Sequence, residues 1–480
     1  MSYDGKKIEA EVRELWKQQD TYAKAKARAQ RPENKKVYFL DGPPYTSGHV
    51  HLGTAWNKSL KDLYIRYMRM RGYNVWDRAG YDMHGLPTER ATEKALNIFG
   101  KDEIRKYGVD KFVEKCKQTC LSNMDDMSKT FQFMGVWMDF ENAYRSVERE
   151  YIEGVWWFIV KAWEQGRLYE AEKTMTWDAV NATALAKHEL DYKLVKDNTL
   201  YVRFPIIGRE HEYLVIWTTT PWTIPFNMAV MVNPKINYVK VEVCHDGERQ
   251  FWYLAEARVD AFLCGELQLD KTKGPEDGGF RVVETCTGDK LEGTAYVHPF
   301  AKLNPVYGEL KARMPKVHTV VLSAQFVTTD AGTGLVHCAP GCGPEDYVVG
   351  KENGIEPFNT VDESGVVRNL EPLNGLRAKL DDAQFIELIK QHGGFVHKST
   401  IEHEYPYGER SQKPVIFRTT TQWFIHVEDM KDQMLTANSG IYWNPETAKN
   451  AFHSWLSNLR DNSISKQRFW GTPLPIWRNV

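Results

Sequence analysis

The sequence predicts an α/β protein in which a domain built on a parallel sheet is interrupted by a β-rich inserted domain. A strand, a loop, a helix and a second strand follow one another within residues 37–77, which is a βαβ unit. From about residue 196 to residue 398, short β-rich runs alternate with Gly, Pro and Asn turns. We therefore predict three domains, at residues 1–195, 196–398 and 399–480, which also agrees with the chain length.

The first elements follow from apolar spacing. The first helix is predicted by four apolar residues whose stripe we expect to pack on a core: Ile8, Val12, Leu15 and Trp16. The run Val37–Leu40 predicts a strand, and Tyr73–Asp77 predicts a second one. Between them, a helix ending before Gly72 is predicted by four apolar residues: Leu60, Tyr64, Tyr67 and Met68.

Composition narrows the class of protein. Hydrophobic residues make up 42% of the chain and charged residues 26%, the balance of a soluble globular protein. The formal net charge of −2 gives no global basic field, so we expect any RNA contact to be local. No signal segment and no membrane-spanning run is apparent, so we expect a cytoplasmic protein without a membrane partner.

The seven cysteines are odd in number and scattered through a long chain, which indicates reduced thiols and not a disulfide framework. The pairs Cys116 with Cys120 and Cys338 with Cys342 have i, i+4 spacing, and each pair could be half of a metal site. Neither pair has a second pair or a histidine to complete one. We therefore favour buried or idle thiols.

Two loops, 41–53 and 78–87, follow the two predicted strands at the same end of the sheet. Parallel α/β sheets bind ligands at the carboxyl ends of their strands. We therefore predict a ligand site formed by both loops.

The first loop, DGPPYTSGHVHLGT, contains neither GxGxxG nor a Walker pattern. Gly48 and Gly53 permit close backbone approach, while His49 and His51 precede a helix N-terminus, where free N–H groups hold phosphates. The spacing P-x-x-x-G-x-x-H-x-G resembles the HIGH signature of class I aminoacyl-tRNA synthetases. In this resemblance Thr54 replaces the last histidine, and its hydroxyl still donates but carries no positive charge. The alternative for the tetrapeptide alone is a His-rich turn without a ligand.

The second loop, RAGYDMHGLP, is similar to that of the isoleucine-specific members of the same family. The resemblance implies that Asp82 pairs with the α-ammonium of the amino acid. An ammonium group taken from water needs a carboxylate nearby, which agrees with this role. The alternative is that Asp82 is a turn residue that caps the next helix.

Two stretches near the end, at 422–424 and 465–477, resemble other pocket-forming stretches of the family. This likeness implies that Trp423 and Trp470 wall the aliphatic side-chain pocket, opposite Gly42 and Pro43. Gln467 is implied as a polar contact. Without the likeness, both tryptophans would be ordinary core residues.

In the inserted region, WTTTPWT and GTGLVHCAP closely match the hydrolytic editing domain of the isoleucine, valine and leucine enzymes. The match implies that Asp346 anchors the substrate ammonium and that His337 positions the ester or the ribose hydroxyl. It also implies that Thr218, Thr219 and Thr220 hold the terminal adenosine and the water. One methylene is worth about 1–3 kcal/mol in an apolar pocket, a limit for which isoleucine against valine is itself the standard example. A second site that hydrolyses the ester of valine is therefore needed.

As a whole, the resemblance implies a Rossmann-type catalytic domain, incomplete in this chain, that is interrupted by an editing domain. It implies a reaction in which ATP with Mg²⁺ and isoleucine form isoleucyl-adenylate, and the acyl group passes to isoleucine tRNA. The lysine loop and the anticodon-binding helices of the family would lie beyond residue 480, so we expect a piece of a longer protein.

Some relatives carry zinc-binding cysteine pairs where the insertion joins the core. The corresponding residues, 175–178 and 405–409, contain no cysteine, so we predict no structural zinc and no metal ligands in residues 1–480. Three alternatives stay open. A valyl-tRNA synthetase is disfavoured by the 78–87 loop, and a stand-alone editing hydrolase or tRNA-binding remnant is disfavoured by the intact 41–87 region. The third is an inactive regulatory paralogue.

Overall fold

The computed structural model describes residues 4–477, apart from the side chain of His188. The chain divides into two compact units: unit 1 comprises Met1–Tyr169 and Phe424–Val480, and unit 2 comprises Glu170–Trp423. The three predicted domain ranges stay a prediction. Their outer limits, residues 1 and 480, lie outside the described residues.

Unit 1 combines helices with short strands. Its first part contains α1 (Gly5–Gln18), α2 (Thr21–Ala29), β1 (Lys36–Tyr38), α3 (Leu52–Met70), β2 (Asn74–Trp76), β3 (Arg78–Tyr81), α4 (Leu86–Leu96), α5 (Lys101–Tyr107), α6 (Val109–Phe133), β4 (Asp139–Arg145) and α7 (Arg149–Glu164). Strand β5 (Leu168–Asp178) then leads into unit 2.

Unit 1 contains two pairs of parallel strands. β1 pairs with β2 in parallel, with Val37 opposite Val75, and α3 connects the two strands. β3 pairs with β4, also in parallel. The predicted βαβ unit and its parallel strands are therefore confirmed. One detail was wrong: residues 78–81 form β3, so the second loop begins at Asp82.

The core of unit 1 forms around α6, which turns residues spaced three or four apart inward: Phe112, Cys116, Cys120, Met124, Met127 and Phe131. Burial raises the pKa of the Cys116 thiol to about 12 and that of Cys120 to about 11. These two cysteines are buried, free thiols, as predicted.

The predicted packing face of α1 was wrong. α1 buries none of its residues, and both Ile8 and Leu15 are exposed. It is attached at its edge, where the Trp16 ring lies 4.9 Å from that of Trp137. In α3 the residues that are buried are Lys58 and Ile65, because Lys58 turns inward to meet a buried carboxylate.

Unit 2 is mainly β-structure. It contains β6 (Thr183–Ala184), β7 (Leu190–Pro205), β8 (Glu212–Thr218), β9 (Ala229–Val232), β10 (Asn237–His245), β11 (Glu248–Ala255), β12 (Phe280–Thr287), α8 (Val306–Arg313), β13 (Thr319–Leu322), β14 (Val336–Cys338), α9 (Pro344–Glu352), α10 (Asp382–Gln391) and β15 (Phe395–Gly408). β16 (Ile416–Ile425) returns to unit 1, which ends with α11 (Lys431–Ser439), α12 (Thr447–Ser457) and β17 (Asn462–Ser463).

Nine of the described strands of unit 2 form one mixed sheet. Its main path runs β12-β10-β11-β8-β14-β9-β13, and β7 joins it by pairing with β8. The long strands β7 and β15 form an antiparallel ribbon, and residues 196 and 398 lie within this ribbon. β8 and β14 are parallel neighbours, with Val336 opposite Trp217. This pairing brings the ends of two distant segments to one edge of the sheet.

Candidate functional site

A cavity of about 550 Å³ lies in unit 2 beside the ends of β8 and β14. Because these strands are parallel neighbours, the threonines at the end of β8 and the histidine on β14 face the same space. The cavity is lined by residues of three segments and by two aromatic residues: 217–220 with 222 and 223, 326 with 328 and 330–337, 342–346, Tyr405 and Phe417. All five predicted editing residues are among them.

The threonine segment forms its own hydrogen-bond cluster. Thr218 Oγ1 accepts from the main-chain N–H of Thr220 at 3.1 Å and lies 3.3 Å from the Thr220 hydroxyl. Thr223 Oγ1 donates to the main-chain oxygen of Thr220 at 2.8 Å. Thr219, which lies between Thr218 and Thr220 in the sequence, also lines the cavity. These hydroxyls offer both donors and acceptors to a small polar ligand.

His337 is buried at the cavity wall, and both of its ring nitrogens have partners. Nε2 lies 2.8 Å from Thr223 Oγ1, and Nδ1 lies 3.0 Å from Asn227 Nδ2. Burial lowers the pKa of His337 to about 4, so the ring is neutral at pH 7. A neutral ring with two occupied nitrogens orients neighbouring groups and does not shuttle protons.

Asp346 stands in the first turn of α9 and faces the same cavity. Its Oδ2 accepts from the main-chain N–H of Ala339 at 2.9 Å. Burial raises the pKa of Asp346 to about 7, and the neighbouring charge of Glu345 adds to this shift. A cation brought beside this carboxylate would favour its ionised form, so the site is suited to an ammonium group.

Two glycines shape the loop before β14. Gly334 has a φ of +77°, and a Cβ there would lie 2.3 Å from the Cβ of Ala255. Gly332 has a φ of +66°, and a Cβ there would approach the Trp217 ring system to 2.9 Å. The loop packs this closely only because both residues lack a side chain.

In unit 1, His51 is the N-cap of α3 and confirms the predicted helix start. Its Nδ1 accepts from the main-chain N–H of Thr54 at 3.4 Å, and its Nε2 lies 3.0 Å from the Thr54 hydroxyl. The ring folds over Gly53, where a Cβ would come within 3.2 Å of it. His49 is exposed on the same loop.

Asp41 anchors this loop, a role that our sequence reasoning missed. Its buried carboxylate lies 2.5 Å from Lys58 Nζ and 2.8 Å from Lys61 Nζ, and it accepts from the main-chain N–H of Gly80 at 3.0 Å. Lys61 Nζ also donates to the main-chain oxygen of Gly42 at 2.6 Å. The available signal was the pair Lys58 and Lys61, three residues apart on the helix that follows the loop beginning at Asp41. Gly42 and Pro43 themselves are exposed.

Asp82 joins the two predicted loops through its main chain. Its N–H donates to the oxygen of Pro44 at 3.0 Å, and its oxygen accepts from the N–H of Thr46 at 3.0 Å. The Asp82 carboxyl is half-buried; burial raises its pKa, and the main-chain N–H of His84 opposes that rise. Both loops therefore meet at the same place, as the βαβ reading predicted.

Trp470 is held against this second loop. Its indole N–H donates to the oxygen of Met83 at 2.6 Å, and its ring packs at 5.3 Å from that of His84. Glu89 Oε2 accepts from the main-chain N–H groups of Phe469 and Trp470 at 3.2 and 3.0 Å. Gln467 Oε1 is buried and has no hydrogen-bond partner within residues 4–477. Trp423 is the last residue of unit 2, so its role in this pocket stays an expectation.

Comparison with known proteins identifies the family. The model of the tRNA synthetases of class I (I, L, M and V) matches residues 11–480. The chain belongs to this family. It is 44% identical to an isoleucine--tRNA ligase of Pyrococcus abyssi over 99% of the chain, and 40% identical to one of Methanocaldococcus jannaschii over 98%. The chain spans about 44% and 45% of the length of these relatives.

Among solved structures, this class I synthetase chain is similar to a LeuRS of Agrobacterium radiobacter K84 in a ternary complex with tRNA and LeuAMS. The TM-score is 0.33 and the identity 16%, over 84% of this chain and 48% of that one. Within the described residues, no helix is long and apolar enough to cross a membrane, and no three His, Cys, Asp or Glu side chains are grouped to hold a metal ion.

Proposed function

We propose that this chain contributes to the attachment of isoleucine to isoleucine tRNA through isoleucyl-adenylate, and that its unit 2 hydrolyses valine mistakenly attached to that tRNA. The proposed editing activity rests on one observation. Five residues line the same cavity: Thr218, Thr219, Thr220, His337 and Asp346. The identity to isoleucine--tRNA ligases supports the choice of amino acid.

The chemistry of ester hydrolysis matches the cavity. Cleaving an aminoacyl ester needs a held water, donors near the developing oxyanion and an anchor for the substrate ammonium. In our proposal, Asp346 binds the ammonium, which draws the carboxyl into its ionised form. The hydroxyls of Thr218, Thr219 and Thr220 hold the water and the terminal adenosine. His337 keeps this cluster in place and so positions the ester or the ribose hydroxyl.

In unit 1, the proposed synthetic role rests on the two joined loops. Class I synthetases use ATP as a substrate, and we propose that His51 and the N-terminus of α3 bind its phosphates, with Mg²⁺ entering as part of the nucleotide substrate. We propose that Asp82 binds the ammonium of isoleucine, while Trp470 walls its side chain and Gln467 supplies a polar contact. Gly42 and Pro43 complete the part of the proposed pocket that lies in unit 1, and the role of Trp423 stays a prediction from the family resemblance. A cytoplasmic location and the absence of structural zinc remain predictions.

The test compares hydrolysis of valine-charged and isoleucine-charged isoleucine tRNA by the 480-residue chain. We expect valine to be released and isoleucine to be kept, and we expect Asp346→Ala to abolish the release. Glu345→Ala is the matched control, because this exposed carboxylate lies in the same turn and should not be needed as the anchor.

Each other outcome has a defined meaning. Release of threonine from valine tRNA, with no release of valine from isoleucine tRNA, would move the proposal to a valyl-tRNA synthetase. Activity that survives in the Asp346→Ala variant would contradict the proposed anchor. Editing together with a complete failure to bind isoleucine and ATP would favour the stand-alone hydrolase. An absence of both editing and binding would favour the inactive paralogue.

A further inference from the structure

A chain of buried side chains connects the core of unit 2 to the threonine cluster. The Tyr296 hydroxyl donates to Asn227 Oδ1, and Asn227 Nδ2 faces His337 Nδ1 at 3.0 Å. His337 Nε2 faces Thr223 Oγ1 at 2.8 Å. All four residues are buried, and three of them, Tyr296, Asn227 and Thr223, were not among the predicted editing residues.

Two main-chain oxygens determine the direction of the hydrogen bonds in this chain, because a carbonyl oxygen only accepts. Asn227 Nδ2 lies 2.9 Å from the main-chain oxygen of Ala229, so the amide nitrogen must be on that side, which also faces His337. His337 Nδ1 therefore accepts, and the ring proton is on Nε2. At the other end, Thr223 Oγ1 donates to the oxygen of Thr220 at 2.8 Å, which leaves its lone pairs for the Nε2–H group.

We propose that Tyr296 and Asn227 hold His337 as the neutral Nε2–H tautomer, so that the Thr220 hydroxyl presents its oxygen to the cavity as an acceptor. Thr223 Oγ1 lies 3.2 Å from Thr220 Oγ1, and its remaining lone pair takes the Thr220 proton. With its proton directed at Thr223, the Thr220 oxygen keeps two lone pairs: one faces the Thr218 hydroxyl at 3.3 Å, and the other accepts from a donor in the cavity, such as a water or a ribose hydroxyl. Tyr296 is thus a positioning residue that touches neither water nor substrate.

The tautomer can be measured directly. We would label the 480-residue chain with ¹⁵N-histidine and identify the His337 signals by their loss in His337→Gln. We expect Nδ1 to show the shift of an unprotonated nitrogen and Nε2 that of a protonated one at pH 7. In Asn227→Asp the partner of Nδ1 is an acceptor, so we expect the proton to move to Nδ1. A proton on Nδ1 in the unsubstituted chain would overturn the proposal.

The activity test uses a pair of matched hydroxyl deletions and rests on the proposed editing function. Tyr296→Phe removes the donor to Asn227, whereas Tyr307→Phe removes an equally buried hydroxyl that donates to the oxygen of Pro225. We expect Tyr296→Phe to lower kcat for release of valine about tenfold with KM unchanged, since a lost buried hydrogen bond misplaces the water. We expect Tyr307→Phe to keep kcat.

The ¹⁵N spectrum and the kinetics of valine release test the proposal independently. If the unsubstituted chain releases no valine, the proposed editing function fails, while the ¹⁵N spectrum still decides the tautomer. Equal losses of kcat in Tyr296→Phe and Tyr307→Phe, or unchanged kcat in both, would overturn the role of Tyr296. If Tyr296→Phe does not fold, the spectra of the unsubstituted chain and of Asn227→Asp remain decisive.

Discussion

The carboxylate of Asp346 and the main chain of Ala339 are joined by a hydrogen bond of 2.9 Å between Oδ2 and the N–H group. This bond ties the first turn of α9 to the residue that follows β14, two positions after His337. This hydrogen bond partly compensates the Asp346 carboxylate for the water that it loses on burial. The proposed anchor is therefore held in place before any substrate arrives.

The first prediction concerns the stability cost of Asp346. Its pKa is raised from 3.8 to about 7 in the folded chain, so the fold favours the protonated form and stability falls as the pH rises from about 4 to about 7. Above that range the cost is up to about 4 kcal/mol. We expect Asp346→Asn to be more stable than the unsubstituted chain at pH 8 and equally stable near pH 4, while losing the release of valine. Urea unfolding at both pH values measures this, and a variant that is less stable at pH 8 would contradict it.

The second prediction concerns acid. Burial lowers the pKa of His318 and of His337 to about 4, and it lowers that of His298 well below its usual value. Depressed folded pKa values give stability that is present above the unfolded pKa of 6.5 and is lost as the pH falls towards 4. The loss is about 3 kcal/mol for each of the two residues shifted to about 4.

The histidines destabilise unit 2 as the pH falls from 6.5 to 4, whereas Asp346 stabilises it over the same range. We therefore expect His318→Gln to raise the melting temperature at pH 4 relative to its value at pH 6.5, when compared with the unsubstituted chain. Differential scanning calorimetry across this range would measure the slope. An identical slope for His318→Gln and the unsubstituted chain would show that this histidine is not responsible.

The third prediction compares two glycines with positive φ. In Gly334→Ala the new Cβ would overlap Ala255, whereas Gly278, with a φ of +81°, has no atom within 4 Å of a new Cβ. We expect Gly334→Ala to lower the free energy of unfolding by about 3 kcal/mol and Gly278→Ala by about 1 kcal/mol. Chemical denaturation measures both values. Equal losses would mean that backbone conformation alone requires Gly334.

The fourth prediction concerns the buried carboxylate of Asp41. Asp41→Ala leaves Lys58 buried without a counter-ion, which typically costs about 3–5 kcal/mol. Lys61→Ala is the control, because Lys61 is more exposed and Asp41 keeps Lys58 as its partner. We expect unit 1 to be strongly destabilised by the first change and by less than about 2 kcal/mol by the second. Thermal unfolding of both variants distinguishes them.

The fifth prediction concerns the proposed amino-acid pocket. Asp82→Asn removes the negative charge from the place where the loops meet, so we expect it to weaken isoleucine binding at least about tenfold, as for other charge-assisted hydrogen bonds. Asp62→Asn is the control, because Asp62 lies on α3 and is already paired with Arg66. Isothermal titration calorimetry measures the affinities. Equal affinities for the Asp82 variant and the unsubstituted chain would remove Asp82 from the proposed site.

Much of the architecture was predictable because it depends on local patterns. The strand-loop-helix-strand order of residues 37–77 predicted two parallel strands, and β1 and β2 are paired in that way. The β-rich texture after residue 196 corresponds to strands β7 to β12. The faces of α1 and α3 were not predictable, because an apolar stripe does not indicate which neighbour covers it. The ion pair of Lys58 with Asp41, 17 residues apart, decides the buried face of α3.

The sequence by itself determined the family, the order of elements and the residue types of the proposed sites, since spaced motifs such as 217–223 and 332–340 are local properties of the chain. Only the tertiary structure decided the hydrogen-bond direction through Tyr296, Asn227 and His337, whose partners are 69 and 110 positions apart. The raised pKa of Asp346 also depends on the tertiary structure, because burial causes it. The physical reason is that burial and pairing depend on which distant segments meet, and the pairing of β8 with β14 sets this.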